Sequence, residues 1–187
     1  MKKLFLCIIL FICITGASLF AWDPSYFLTY PKCANDDKWI FNFGIGLHFP
    51  SDFGSNDYIY IMPLRVSFDK NVPIGDNKLP FFFGGVVGYN GEGWKNDWFT
   101  HKISAGFRAG YHFNFDIDNL DVYAVTTAGW TFFSHTNDNA PRSNRAGRLC
   151  FGSNLGARYF ISENFGFWAE AGFNPFSWFD IGLTWKF

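Results

Sequence analysis

Long apolar runs are missing from this 187-residue chain once its first 21 residues are passed. A helical membrane span needs roughly 20 consecutive apolar residues, so the sequence excludes a protein that crosses a membrane by helices after that point. Clusters of basic residues are missing too, and 15 Lys and Arg are balanced by 16 Asp and Glu. Because nucleic acids are held by concentrated positive charge, this composition argues against a nucleic-acid partner.

Cysteine is also scarce. Two of the four cysteines lie within the first 21 residues, which leaves Cys33 and Cys150 in the remainder. The strand order given below puts these two near opposite ends of a barrel, beyond the ~7 Å separation that a disulfide permits. Neither has neighbours at metal-ligand spacing. We therefore expect two free thiols, no metal site and no cofactor.

The first 21 residues have the three parts of a secretory signal peptide. Lys2 and Lys3 form a basic start, an apolar stretch follows, and small residues precede Ala21, where we expect cleavage. The segment 22–38 is irregular and is predicted to be a periplasmic lead-in. Residues 39–187 are predicted to form a single domain.

Aromatic residues, in contrast, are abundant, at 22% of the chain. They alternate with small or polar residues in the closing segment FSWFDIGLTWKF, which predicts a strand with one apolar and one polar face. An unpaired strand of this kind invites aggregation in water. In a closed barrel within a bilayer it is paired on both sides, and its apolar face meets lipid.

Seven further segments have strand-like patterns, which predicts an all-β fold: an eight-stranded antiparallel transmembrane β-barrel with up-and-down meander order. The predicted strands cover residues 39–49, 58–68, 81–90, 100–115, 122–133, 149–161, 165–173 and the segment ending at Phe187. Links 91–99 and 134–148 are predicted to be long loops, and link 69–80 is long for a turn. A membrane strand needs about 9–11 residues, as most of these segments have.

The charged residues of these strands share one face, opposite the aromatic residues. They are Arg65, Lys102, Arg108, Arg158, Glu170 and Asp180. A soluble barrel of the lipocalin kind would have an apolar inside and a polar outside, so the inverted pattern favours a membrane barrel. In the second strand we expect Tyr58 and Tyr60 to face outward with the other large residues, and Arg65 to face inward.

Two stretches resemble known membrane barrels. The ending DIGLTWKF resembles the C-terminal assembly signal of bacterial outer-membrane proteins, with Asp180, Gly182, Trp185 and Phe187 in its characteristic places. The stretch GARYFISENFGFWAEAGF resembles a hairpin of small eight-stranded barrels of the OmpX, opacity-protein and OmpW kind. The resemblance implies an integral protein of the bacterial outer membrane, exported through the periplasm, with the barrel-assembly machinery and membrane lipid as partners.

The inward charges of such a barrel predict a polar network in the lumen. An eight-stranded barrel is just wide enough for its own side chains to fill it, and a buried lone ion is costly. We expect Arg65, Arg108, Arg158, Glu170 and Asp180 to pair with one another, with a salt bridge between Arg158 and Glu170. Such a network is either an internal plug that fixes strand register or, alternatively, part of a selective conduit.

Three functions remain open at this stage. The first is a monomeric, non-enzymatic outer-membrane barrel with a structural or surface-interaction role, in which the polar loop 134–148, with its three arginines, contacts lipopolysaccharide-like or host-surface ligands. The second is a narrow channel for small apolar solutes, as in OmpW-like proteins. The third is a lipid-modifying enzyme that uses a rim histidine as a base, although the serine that lipid A deacylases place two residues after that histidine is Asn137 here. Candidate residues for that chemistry are His48, His101, His135, Asp52, Asp97, Ser134 and Asp138; the three arginines are Arg142, Arg145 and Arg148.

Overall fold

A computed structural model describes residues 28–34, 38–48, 57–75, 79–136 and 147–187. Eight antiparallel strands form a closed barrel in which each strand pairs with its neighbours in the chain and the last pairs with the first. The strands are β1 (Trp39–Leu47), β2 (Tyr58–Ile74), β3 (Leu79–Trp94), β4 (Trp98–Phe113), β5 (Leu120–His135), β6 (Arg148–Phe160), β7 (Phe165–Phe173) and β8 (Phe179–Lys186). The predicted fold class and strand order are confirmed. The predicted signal peptide, residues 1–21, lies outside the described residues.

The barrel is sealed by the pairing of β8 with β1, from Ile40 opposite Lys186 to Leu47 opposite Phe179. Phe187 continues this pairing, because its backbone N–H and carbonyl both bond to Trp39, at 3.0 and 2.9 Å. Closure leaves no unpaired strand edge between β1 and β8, which removes the aggregation problem posed by an apolar terminal strand.

The two ends of the barrel differ in their connections. At the terminal end, β1 begins and β8 ends, and the links 75–78, 114–119 and 161–164 join the strands. The other end, here called the far end, carries the remaining links. The predictions of a long loop over 91–99 and a long link over 69–80 are wrong, because β2, β3 and β4 continue through glycines and prolines and leave links of only 75–78 and 95–97.

The face assignment from the sequence is confirmed for most of the wall. Large apolar side chains point outward and are exposed, among them Phe107, Phe151 and Leu155. In β3, where three phenylalanines follow one another, Phe82 is fully buried inside while Phe83 points outward. Among the described residues no helix is long and apolar enough to cross a membrane.

The prediction for Tyr58 and Tyr60 is wrong, because β2 contains a bulge. The pairing of β2 with β3 shifts between Ile61 and Leu64, at Pro63, whose missing N–H suits such an irregularity. Since side chains alternate with a period of two, one extra residue reverses the faces of everything beyond it. The tyrosines therefore turn inward, and Ile59 and Ile61 take the exposed outer positions.

Candidate functional site

Seven charged side chains fill the middle of the barrel, and each is at most 1% exposed. They come from β2, β4, β5, β6, β7 and β8, where the period of two turns them all to the inside. We call this set the central network: Arg65, Asp69, Arg108, Asp121, Arg158, Glu170 and Asp180. Because such ions lose their hydration, each needs charged and hydrogen-bonding partners within the lumen.

Glu170 is the centre of one half of the central network. Its Oε2 accepts a hydrogen bond from Arg65 at 2.6 Å, and its Oε1 accepts one from Arg108, also at 2.6 Å. The other terminal nitrogen of Arg65 donates to Asp180 at 2.6 Å. Tyr123 adds a hydroxyl bond of 2.8 Å to Glu170 Oε1. One carboxylate thus neutralises parts of two buried guanidinium groups.

Arg158 is the centre of the other half. It donates to Asp121 at 2.9 Å and to Asp69, and its Nε donates to the Asn42 side chain at 3.2 Å. Asp69 also forms an ion pair with Arg108 at 3.2 Å, which joins the two halves. Acid and base therefore alternate across the lumen from β8 to β5.

The predicted salt bridge between Arg158 and Glu170 is wrong. The strand register sets Arg158 opposite Trp168 and Glu170 opposite Gly156, and both long side chains reach across the lumen instead of along the wall. Tyr123 links the two: its ring centroid lies 4.2 Å from the Arg158 guanidinium carbon, while its hydroxyl bonds to Glu170. The structure does bring Arg65, Arg108, Glu170 and Asp180 together, as set out above.

Sequence reasoning missed Asp69, Asp121 and Tyr123 as members of the lumen. The sequence pattern places Asp69 in the link 69–80, and Asp121 just before the predicted fifth strand, 122–133. The signal was present, since Asp69 lies four residues after Arg65 and therefore on the same face of an extended strand. A buried phenol next to Arg158 has no comparable signal in the sequence.

The link between β7 and β8 closes the central network from the far end. We call residues 174–177 the far-end cap. Asn174 donates to Asp180 at 3.2 Å, and its side-chain oxygen accepts from the backbone N–H groups of Phe176 and Ser177, both at 2.8 Å. The Phe176 ring enters the lumen 5.9 Å from the Arg65 guanidinium carbon. Gly88 leaves the room for it, because a Cβ there would overlap the ring.

Residues 28–34 close the lumen from the terminal end, and we call them the terminal-end cap. The Tyr30 hydroxyl donates to the Phe81 carbonyl at 2.7 Å, and Lys186 donates to the Cys33 carbonyl at 2.8 Å. Outside the barrel mouth, Lys32 pairs with Asp118 at 2.7 Å. The predicted lead-in is therefore, in its described part, docked into the barrel, and the lumen is filled from one cap to the other.

A buried histidine lies directly under the terminal-end cap. His112 Nδ1 is 2.6 Å from Asp121 Oδ1, and its Nε2 is 3.0 Å from the side-chain oxygen of Asn71. The Tyr30 ring covers it at a centroid distance of 5.5 Å. An aspartate–histidine pair orients a base in hydrolases, but here the second ring nitrogen meets an amide and not a nucleophilic hydroxyl.

The rim histidines are not assembled into one site. His101 Nδ1 lies 2.9 Å from the Tyr89 hydroxyl, and His135 Nδ1 lies 2.9 Å from the hydroxyl of Thr100, which is fully buried. Within the described ranges, no three His, Cys, Asp or Glu side chains are placed to hold a metal ion. Asp52, Asn137, Asp138, Arg142 and Arg145 lie outside the described residues.

Three of the four assembly-signal residues lie on β8, where they divide between its two faces, and Phe187 directly follows the strand. Asp180 belongs to the central network, and Gly182 is packed too closely against the backbone of Phe43 for any side chain. Trp185 points outward between Phe41 and Phe165, at centroid distances of 5.8 and 5.3 Å. Outward aromatic contacts thus run across β1, β8 and β7 near the terminal end, as in the aromatic girdles of membrane barrels.

Cys33 gives a direct test of the terminal-end cap. Burial and, to a smaller extent, the nearby Asp121 carboxylate raise the pKa of the Cys33 thiol to about 12. Because the thiolate is the reactive form, we expect Cys33 in the folded barrel to react with iodoacetamide at pH 8 far more slowly than after unfolding in urea. Mass spectrometry of a Cys150→Ser variant isolates this rate. Equal rates in the two states would mean that residues 28–34 do not occupy the barrel mouth.

No protein-family model matches this sequence, and no curated protein matches it. Among solved structures, the chain is similar to one described as "De novo design of transmembrane beta-barrels", with a TM-score of 0.45 and 16% sequence identity. The match covers 82% of this chain and 98% of that one. The similarity is one of fold.

Proposed function

We propose that this protein is a monomeric, non-enzymatic barrel of the bacterial outer membrane, with a structural or surface-interaction role and a lumen that does not conduct. The observation that carries the proposal is the inverted barrel: apolar side chains face outward, and the central network, closed by two caps, faces inward. The outer surface suits lipid, and the described lumen between the two caps offers apolar solutes no apolar path through the barrel.

The outward face supports placement in a membrane. Phe107 is 83% exposed and Leu155 is 66% exposed, and burying such side chains is worth about 25 cal/mol per Å² of apolar surface. In water these side chains would stay exposed and this free energy would not be gained, whereas contact with lipid removes them from water. The resemblance of the closing DIGLTWKF to an assembly signal supports the outer membrane and the barrel-assembly machinery as a partner.

The filled lumen favours the structural role over the channel for apolar solutes. A solute on the barrel axis would have to displace the ion pairs of Glu170 and Arg158 and both caps. Apolar solutes offer those ions no compensating bonds, so their entry would expose unpaired buried charges. The network instead ties β2, β4, β5, β6, β7 and β8 together and thereby fixes their register.

Single-channel recording tests this function. In planar bilayers the wild-type barrel is expected to give no reproducible conductance steps. A Phe176→Ala/Ser177→Gly variant, in which the far-end cap is weakened, serves as the matched comparison. Reproducible steps from the wild type would overturn the closed-lumen function and favour the channel.

For the enzyme alternative, lipid A from cells with and without the gene is expected to show identical acylation by mass spectrometry.

The described ends of the segment 134–148 are consistent with a role of this loop in surface contacts. Ser134 and His135 belong to β5, and Arg148 begins β6 with its guanidinium carbon 5.4 Å from the centroid of the Phe133 ring. We propose that the arginines of this loop approach anionic, lipopolysaccharide-like headgroups at the far end of the barrel.

A further inference from the structure

A second polar group of side chains lies beyond the far-end cap, on the inward face of β2, β3 and β4. We call it the rim cluster; its members are Tyr58, Tyr60, Glu92, Trp94 and Lys102 on these strands, together with His48, which directly follows β1. The pairing of β1 with β2 ends at Ile45 opposite Leu64, so among the described strands the Tyr58–Ile61 part of β2 pairs only with β3. Glu92 lies four residues beyond Gly88, where Phe176 of the cap sits.

Direct contacts hold the rim cluster together. The Tyr58 hydroxyl donates to Glu92 Oε2 at 3.1 Å, and Lys102 Nζ donates to Glu92 Oε1. The Tyr58 ring meets Trp94 edge to face at 5.5 Å. The side chains of Glu92 and Lys102 are 16% and 19% exposed, whereas central-network residues are at most 1% exposed. The side chains of this ion pair are thus partly open to solvent, unlike those of the central network.

The bulge in β2 builds this arrangement. Without the register shift between Ile61 and Leu64, Ile59 and Ile61 would face Glu92 across the strand pair, and both tyrosines would face outward. Bulges occur frequently next to active or binding sites, where they redirect a side chain. Here the bulge replaces two aliphatic groups on the inward face with two phenols beside a carboxylate.

The cluster is balanced in charge. Glu92 and Lys102 neutralise each other, and burial together with the Lys102 ammonium lowers the pKa of His48, which favours its uncharged imidazole. A charged ligand would compete with one member of the ion pair for the other. A neutral polyhydroxylated ligand does not: its hydroxyls both donate and accept, which suits a carboxylate, an ammonium and phenols.

From these observations we infer that the rim cluster binds neutral carbohydrate. A hexopyranose ring would lie against the aromatic surface of Tyr58 and Trp94, with its hydroxyls bonded to Glu92 and Lys102. Few, well-placed polar groups beside aromatic surface are the usual composition of a small-ligand site. This inference rests on the proposed function, since it names the class of partner for a surface-interaction barrel.

The test uses the full chain folded in dodecylphosphocholine micelles, because sugar-headed detergents would compete. A glycan array of neutral hexose oligosaccharides and acidic glycans is probed, and a bound glycan is then titrated by tryptophan fluorescence. We expect a neutral hexose glycan to bind, and Glu92→Gln and Tyr58→Phe each to raise its Kd at least fivefold. Glu163→Gln, an exposed carboxylate at the terminal end, is the matched control and should leave the Kd unchanged. Heat-modifiable migration on gels verifies that each variant is folded.

Three outcomes would overturn the inference: no neutral glycan binds, only acidic glycans bind, or folded Glu92→Gln and Tyr58→Phe barrels bind as tightly as the wild type. Failure here and failure of the proposed function can be told apart. Conductance by the wild type would remove the closed-lumen function whatever the array shows, whereas a silent barrel that binds no glycan would remove only the carbohydrate site.

Discussion

Replacing Glu170 with alanine is expected to lower the free energy of unfolding by about 3–5 kcal/mol, the cost of removing one partner from a buried ion pair. Glu170 accepts bonds of 2.6 Å from both Arg65 and Arg108, and all three side chains are almost completely buried. The variant leaves two guanidinium groups short of a counter-ion, because neither can turn to water. Urea unfolding in lipid vesicles, followed by tryptophan fluorescence, gives the value.

Two further variants sharpen this measurement. Glu163→Ala removes a carboxylate that is 84% exposed and 3.8 Å from Lys38, and surface pairs of that kind are worth about 0–1 kcal/mol. Glu170→Gln keeps the shape of the side chain but not its charge, so it should fall between the two. If Glu170→Ala cost no more than Glu163→Ala, the central network could not be what fixes the barrel.

Leu155→Arg is expected to cost about 2–4 kcal/mol of folding free energy in lipid, the range for a basic residue at the middle of a bilayer on the outer face of a barrel. Leu155 points outward from β6, between Ala124 on β5 and Ala171 on β7, and is 66% exposed. The cost arises because the guanidinium group would replace an apolar surface that lies against hydrocarbon. The same vesicle unfolding assay measures it.

Depth provides the control for this second prediction. Ile161 also points outward and is exposed, but it lies just past the end of β6, near the terminal end. Near the interface the same substitution should cost only about 0–1 kcal/mol. Equal costs at Leu155 and Ile161, or an unchanged stability for Leu155→Arg, would contradict a lipid-facing outer wall.

Glu170 and Leu155 lie on opposite faces of one barrel wall, and the two faces have different roles. The apolar outer face makes the barrel suited to lipid, while the ion pairs of the inner face fix the register of the strands. In a non-conducting barrel the lumen needs no opening, so ions from six strands are free to pair across it. Any recognition is then left to the ends, and the rim cluster lies at the far end.

The direction in which most side chains point follows from the amino-acid pattern. In β4, β6, β7 and β8 a period of two places the charged residues on one face and most aromatic residues on the other, and alternation is a property of the extended backbone alone. The eight strands and their meander order followed from the same pattern. Arg65, Arg108, Arg158, Glu170 and Asp180 were assigned to the inside for this reason.

Which of those residues contact one another depends on the folded barrel. Arg158 pairs with Asp69 and Asp121 and not with Glu170. In a narrow closed cylinder, long side chains reach strands that are not their neighbours, and the stagger of the sheet sets which residues are within reach. The bulge at Pro63 reversed the faces of Tyr58 and Tyr60, since one added residue shifts the whole alternation beyond it. The two caps, likewise, depend on where irregular segments fold back, which no periodic pattern records.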